Sequence, residues 1–311
     1  MALVLPYSAA TIDIATALIH DGQPVGVPTE TVYGLAADAG SSRAVARIYA
    51  AKGRPSFNPL IVHVAGIAEA EAIALFDAAA HTLACQFWPG PLTLVLPLRA
   101  GADIASLTTA GLSTIALRHP AHPAIQALLA VSGRPLAAPS ANASGTISPT
   151  RAEHVLRSLH GRIPLVIDGG PTSYGLESTI VAVERQGLRL LRPGPIGADD
   201  LATACGLPLL APGNDAIEAP GQLASHYAPS RPLRLHATEA ADDEWLIGFG
   251  EIAGRRSLSP SGDLIEAAAG LFDALHEADA ASCVRIAIAP IPSEGLGTAI
   301  NDRLRRAAAP R

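Results

Sequence analysis

Ser42-Arg43-Ala44-Val45-Ala46-Arg47-Ile48-Tyr49-Ala50-Ala51-Lys52-Gly53-Arg54-Pro55-Ser56-Phe57-Asn58-Pro59-Leu60-Ile61-Val62-His63-Val64 reads as a helix, a turn and a strand in one unbroken run. Val45, Ile48 and Tyr49 recur at helical spacing, and Gly53 stands where a helix ends in the left-handed region. Residues 60–64 form a short apolar run after a proline, the pattern of a buried strand. The turn carries two cations, Lys52 and Arg54. Lys52 is the only lysine in 311 residues, and the other 21 of the 22 basic residues are arginine. An ammonium is a compact point charge and a guanidinium a planar fork, so a site built for one does not freely accept the other. An Arg-rich, Ala-rich composition explains a solitary lysine equally well. Its place in a Gly/Pro turn beside Arg54 shifts the balance toward function.

The same alternation extends in both directions. Strand-like runs occupy 24–27, 92–96, 113–117, 135–138, 164–167, 178–183 and 188–191. An Ala-rich segment, 69–87, reads as one long helix ending before Pro89, and Thr150-Arg151-Ala152-Glu153 reads as a capping box opening another. The fold class is therefore α/β. The last two runs leave no room for a crossover helix, so the sheet is expected to be mixed. Residues 206–232 carry Pro208, Pro212, Pro220, Pro229 and Pro232 and read as a linker of restricted flexibility. Beyond it, strand-like 233–236, 245–249 and 284–289 and helical 263–277 and 294–308 make a smaller α/β domain. The expected division is 1–205, 206–232 and 233–311.

Composition narrows the function classes. Hydrophobic residues make up 49% and charged residues 16%, which describes a well-cored protein. A net charge of −6 is not the global footprint of a nucleic-acid binder, although a local basic pocket is compatible with it. Cys85, Cys205 and Cys283 are odd in number, far apart and free of CxxC spacing, which argues against a disulfide framework or a Cys-type zinc site and fits a reducing cytoplasm. No run approaches the roughly 18 apolar residues of a membrane span. The start, Met1-Ala2-Leu3-Val4, lacks the basic region of a signal peptide.

Polar segments cluster after the predicted strands: Thr29-Glu30-Thr31, Lys52 to Asn58, Arg118-His119-Pro120, Ser140-Ala141-Asn142 with Ser148, Glu177-Ser178-Thr179, and Arg192-Pro193-Gly194. Ligands of α/β sheets bind where such loops converge. Four cations, Lys52, Arg54, Arg118 and Arg192, beside Ser/Thr/Asn turns make a polyanion pocket. Singly, each segment has a plainer reading. Ser-Ala-Asn is usually a turn, His63 on an apolar strand is usually a core histidine, and strand-end arginines are often surface charges. His119 and His122, separated by Pro120, read as the start of a helix rather than a metal site. Gly248-Phe249-Gly250 misses the dinucleotide spacing and reads as a turn.

Taken in order, 28–35, 52–60, Trp88-Pro89-Gly90-Pro91-Leu92-Thr93, 116–120, 138–142, 177–180 and 191–194 resemble the motifs of the YrdC-type threonylcarbamoyl-AMP synthases. The resemblance continues through Ser225-His226-Tyr227-Ala228-Pro229 and 295–304, which marks the long, two-domain form. Ala36 departs from it, where the family often has glycine. The resemblance implies a nucleotidyltransferase that converts L-threonine, bicarbonate and ATP, with magnesium, into threonylcarbamoyl-AMP and pyrophosphate for the threonylcarbamoyladenosine modification of tRNA. Carried over by position, it assigns Thr31, His63, Arg118, Ala138 and Ser178 to L-threonine. It assigns Arg54, Asn58, Thr114, Ser140, Asn142, Ser148, Arg192 and Tyr227 to ATP, with Lys52 and Arg54 as catalytic cations. Expected partners are these substrates and downstream tRNA threonylcarbamoyl-transfer proteins, with weak tRNA contact and no membrane. The alternatives are a non-catalytic RNA-binding or regulatory protein of the same fold, and a carbamoyl transferase, whose zinc-ligand cysteine clusters this sequence lacks.

Overall fold

The computed structural model describes residues 2–211, 213 and 217–310. Met1 and the linker's Pro212, both part of the sequence reading, lie outside them. The first region runs β1 (Leu3–Pro6), α1 (Ala9–His20), β2 (Val25–Val27), β3 (Gly34–Asp38), α2 (Ser42–Lys52), β4 (Ile61–His63), α3 (Ile67–Ile73), α4 (Ala78–Phe87), β5 (Leu92–Pro97), β6 (Thr114–Arg118), α5 (Pro123–Ser132), β7 (Leu136–Ala137), α6 (Ala152–Leu159), β8 (Leu165–Asp168), β9 (Thr179–Glu184), β10 (Gly187–Arg192) and α7 (Ala198–Cys205). The second runs β11 (Leu233–Arg234), β12 (Glu244–Gly248), β13 (Arg256–Ser257), α8 (Leu264–Ala280), β14 (Arg285–Ile288) and α9 (Leu296–Ala308).

The strands form two sheets. The first has ten in the order β1-β8-β2-β3-β7-β4-β6-β5-β9-β10, and the second has four in the order β11-β14-β12-β13. The larger sheet is mixed, as expected: β4 runs parallel to β6, while β9 and β10 form an antiparallel pair. The smaller sheet is parallel throughout its described pairings. Helix α2 ends as the sequence predicts, with Gly53 at φ 60° beyond Lys52. His122 caps α5, its Nδ1 accepting the Ala124 N–H at 3.1 Å, so the His119–His122 segment does start a helix. Gly248 ends β12, and the turn follows from Phe249 to Ile252, closed by their paired backbone bonds.

Two local expectations need correction. Residues 69–87 are two helices. Between them the chain bonds to the end of β5, Leu75 N–H donating to Pro97 O at 2.9 Å. Asp77 then restarts the helix by accepting the Ala80 N–H at 2.8 Å. Nor does Thr150 cap α6. Arg151 occupies the cap position without a side-chain bond, and Thr150 turns to His154 instead. Strands β1, β3 and β13 and helices α1 and α7 were not expected; the strands and α7 are short or rich in small residues, whereas α1 spans 12 residues behind a Ser8 cap.

Apolar cores cover both faces of the large sheet, one built around Tyr33, Val62 and Leu94, the other around Ile19, Leu128 and Ile167. The second region's core does not stop at its own boundary. Leu271, Phe272 and Ile300 cluster with Val32, Ile147 and Leu176 of the first region and with Tyr227 of the linker. The two regions are thus joined by buried apolar surface, worth roughly 25 cal/mol per Å². The linker threads through that junction.

Candidate active site

The register of the large sheet assembles the site. His63 at the end of β4 lies opposite Arg118 at the end of β6, and alternation puts Ile61 on the same face as His63. Antiparallel pairing brings Arg192, ending β10, beside Ile180 near the start of β9. Gly194 permits this approach, since a Cβ there would lie 2.4 Å from the Thr179 nitrogen. These ends, with loops 28–34 and 138–140, surround one partly open cavity. Pro220, Gly221, His226 and Tyr227 of the linker complete its wall. Gly221, at φ 90°, must be glycine for two reasons: a side chain would be strained there and would strike the Tyr227 hydroxyl and Arg192.

One end of the cavity is organised around Arg118. Its Nε donates to Gly90 O at 3.1 Å, Nη1 to Thr31 Oγ1 at 2.9 Å and Nη2 to Glu30 Oε1 at 2.5 Å. Glu30 Oε2 accepts the Ala121 N–H at 3.0 Å. Burial would raise the Glu30 carboxyl, but the Arg118 guanidinium holds it below the usual range. Three of five guanidinium hydrogens are therefore spent, leaving two for a ligand. Beside it, burial and then the Arg118 charge depress His63 to about 3, so its imidazole is neutral, and its Nδ1 has no partner among the described residues. Ser178 Oγ shares a hydrogen bond with Thr93 at 2.7 Å.

The other end is cationic. Arg54 donates to Asn58 Oδ1, Asn58 O and Pro59 O. Arg192 donates to Ser178 O and Oγ and to Pro220 O. Burial lowers both guanidiniums, Arg54 to about 10. Among the described residues, neither Arg54, Arg192 nor Lys52 has a carboxylate within ion-pair distance; the buried pairs of this region belong to Arg118 and Arg303 instead. Buried cations without counter-ions are costly unless an anion joins them. Among the described residues the only lining carboxylate is Glu177, and both its oxygens are engaged, one by the Ser148 hydroxyl and one by Arg303 at 2.8 Å.

Of the residues singled out in the sequence, Thr31, His63, Arg118, Ala138, Ser178, Arg54, Ser140, Arg192 and Tyr227 line one cavity. The others stand behind or apart. Lys52 is buried, with Nζ donating to Ser140 O at 2.6 Å and Asn142 O at 2.5 Å, so it clamps the serine loop. Burial and neighbouring Arg54 push its ammonium well below the ordinary lysine range. Asn58 braces Arg54. Asn142 bonds within its own loop through Nδ2 to Thr146 O. Ser148 is bound to Glu177, and Thr114 begins β6 at the end remote from Arg118. Ala36 is fully buried in β3 opposite Val25 and leaves the strand regular. Glu30, Glu177, His226 and Arg303 stand within segments singled out in the sequence but were assigned to no ligand. A usable signal existed, because a glutamate in an otherwise buried polar turn must find a cation.

Fold and cavity together define a two-region α/β protein whose interdomain linker encloses a buried, cation-rich pocket. Comparison with known proteins identifies the family. A family model named Sua5_yciO_yrdC and described as Telomere recombination matches residues 17–194, and one described as Threonylcarbamoyl-AMP synthase, C-terminal domain, matches 196–309. The chain belongs to the Sua5–YciO–YrdC family. It is 41% identical to the threonylcarbamoyl-AMP synthase of Bacillus subtilis over 94% of this chain and 92% of that one. With the Pyrococcus abyssi synthase the identity is 38%, covering 95% and 93%. A crystal structure of P. abyssi Sua5 complexed with L-threonine superposes with a TM-score of 0.89 over 99% of this chain and 97% of that one, at 36% identity.

Proposed function

We propose that this protein is a nucleotidyltransferase that joins L-threonine, bicarbonate and the adenylyl group of ATP into threonylcarbamoyl-AMP, releasing pyrophosphate. The observation that carries the reading is one cavity with a neutral, hydrogen-bonding end at Thr31, His63, Arg118, Ala138 and Ser178 and a cationic end at Arg54 and Arg192 that has no ion-pair partner among the described residues. The names of the relatives point to the same reaction.

The geometry suits the chemistry. A threonylcarbamate is an anion and must attack the α-phosphorus of a polyanion. Transfer at phosphorus depends mainly on positioning and electrostatic stabilisation. The two free hydrogens of Arg118 accept the amino-acid carboxylate. Neutral His63 offers its bare ring nitrogen to the amine or hydroxyl without adding charge. Arg54 and Arg192, lacking carboxylate partners, take phosphate oxygens, and Tyr227 closes the wall against water, which would hydrolyse a mixed anhydride. Lys52 holds the Ser140 carbonyl and so sets the loop that faces the phosphates.

Magnesium belongs to this proposal as part of the nucleotide. Among the described residues, no three His, Cys, Asp or Glu side chains could together hold a metal, and Glu177 has no free oxygen. Such a lining fits a cation that arrives on phosphate oxygens and water, as magnesium commonly does. When bound, it would neutralise phosphate charge. Downstream tRNA threonylcarbamoyl-transfer proteins would receive the product. Three free thiols support a cytoplasmic location, and no helix among the described residues is long and apolar enough to cross a membrane.

The test is to incubate the purified protein with ATP, L-threonine and bicarbonate and to identify the nucleotide by mass spectrometry. Threonylcarbamoyl-AMP with stoichiometric pyrophosphate supports the reading. ADP and phosphate formed at the same rate without threonine would overturn it.

A further inference from the structure

Arg303, from α9 of the second region, is buried to 0% exposure, yet it lies outside the cavity wall. Its Nε donates to Glu177 Oε2 at 2.8 Å, Nη1 to Asp302 Oδ2 at 2.8 Å, and Nη2 to Glu177 O at 3.5 Å. Its guanidinium carbon stands 5.2 Å from the centroid of the Tyr227 ring. Both groups it touches in front, Glu177 and Tyr227, line the cavity. The same helix grips the linker just before the tyrosine. Arg306 donates to Leu223 O at 2.7 Å and accepts the His226 N–H at 3.2 Å through its own carbonyl, and Asp302 Oδ1 holds the Arg306 Nε. Tyr227 needs such support, because it sits at φ 63°, a left-handed conformation that a bulky residue adopts only when its surroundings enforce it.

The charge arrangement is more telling than the packing. A carboxylate that lines a polyanion pocket repels its ligand. Glu177 is nevertheless ionised: burial would raise it, but Arg303, Arg192 and the Ser148 hydroxyl hold it below the usual range. Facing it are Arg192 from β10, Ser148 from the loop before α6, Tyr227 from the linker and the Arg303–Asp302 pair from α9. Arg192 is the cation the ligand itself would engage. Among the described residues Arg303 alone forms an ion pair with Glu177, and it does so from outside the cavity lining.

We infer that Arg303 is a positioning residue by which the second region completes the nucleotide end of the site: it neutralises Glu177 and fixes Tyr227 so that the cavity accepts an anionic ligand. The inference rests on the proposed reaction for the identity of that ligand. It gives the second region a part in the chemistry, distinct from a docking module.

The experiment compares wild type, Arg303→Met, Arg303→Lys and the double variant Glu177→Gln/Arg303→Met. The readouts are ATP affinity by calorimetry between pH 8 and pH 5.5, steady-state KM for ATP and threonine, and product by mass spectrometry. In Arg303→Met the unpaired Glu177 should weaken ATP about 10- to 100-fold at pH 8, the range for loss of a buried charged hydrogen bond. The threonine KM should move much less. That loss should shrink as the pH falls, because an unpaired buried carboxyl protonates readily. Arg303→Lys should recover part of the affinity, and the double variant should come within a few-fold of wild type, since Glu177→Gln removes the charge facing the cavity and Asp302 keeps its pair with Arg306. A merely structural arginine predicts no such pH dependence and no rescue by Glu177→Gln. If Arg303→Met fails to fold, the double variant decides: ATP binding near wild type upholds the inference, and binding as weak as in a Tyr227→Ala variant overturns it. Unchanged ATP affinity in a folded Arg303→Met also overturns it. Should wild type itself make no threonylcarbamoyl-AMP, the proposed reaction fails, while the pH-dependent rescue of ATP binding still tests Arg303.

Discussion

Replacing Arg118 by alanine should damage stability and threonine binding by separable amounts. Arg118 and Glu30 are 4% and 7% exposed and 2.5 Å apart. Truncating one member of a buried pair leaves the other uncompensated and costs about 3–5 kcal/mol. The Ala121 N–H remains on Glu30, which favours the lower end of that range. With a urea slope of about 3 kcal/mol/M, the unfolding midpoint should drop by roughly 1–1.5 M. Threonine affinity should fall by a further, independent factor of roughly 10–150, the worth of one charge-assisted contact. The stability loss also has a pH signature. In wild type, the depressed Glu30 carboxyl contributes stability that is lost as pH falls through its folded pKa. In Arg118→Ala burial, the largest effect, is opposed only by backbone hydrogen bonds, so the folded pKa rises from its wild-type position. That variant therefore gains relative to wild type in acid, and the gap between them narrows below about pH 5. The variant Glu30→Gln/Arg118→Met removes both charges, so it should recover most of the stability and none of the threonine affinity. Urea titration and calorimetry measure the two effects. An Arg118→Ala protein as stable as wild type, or one that loses ATP rather than threonine, would refute the reasoning.

Lys52→Arg should leave the fold intact and remove most of the activity, because a fork cannot reproduce one ammonium on two carbonyls 2.5–2.6 Å away; wild-type turnover in that variant would make Lys52 a bystander. Tyr227→Ala should weaken ATP binding and lose product to hydrolysis, and ending the chain near Gly206 should do so more severely, since it also bares Val32, Ile147 and Leu176; equal nucleotide affinity and product yield in the shortened protein would reduce the linker to a tether. Acid should destabilise the whole molecule early. Burial holds His63 and His154 at about 3 and His276 at about 4, below the unfolded value of about 6.5, so the unfolded state binds more protons between about pH 6.5 and pH 4 and each histidine removes up to about 1.4 kcal/mol per unit as pH falls through that window. Urea midpoints at pH 7.5 and pH 5 measure the drop, and a His154→Gln/His276→Gln variant that fell as steeply as wild type would contradict it.

The sequence by itself determined the α/β class, the mixed character of the sheet, most of its strands and the list of residues from which the cavity is drawn. Those features are local: apolar runs of strand length, a helix ended by Gly53, prolines in the linker, polar turns after strands. Alternation and turn chemistry are written in consecutive residues and survive without knowledge of the partner. The break at Ala74 was not legible in that way, because it depends on β5 supplying Pro97 O to a segment that would otherwise stay helical. The charge economy of the site was decided only by tertiary structure. Arg118 reads as a free strand-end cation until Glu30, 88 positions away, is found against it. Arg303 reads as one more basic residue on an amphipathic helix until it meets Glu177, 126 positions away. A side chain's partner sets whether its charge is available to a ligand, and partners distant in the chain are chosen by the packing of whole elements, which no local pattern encodes.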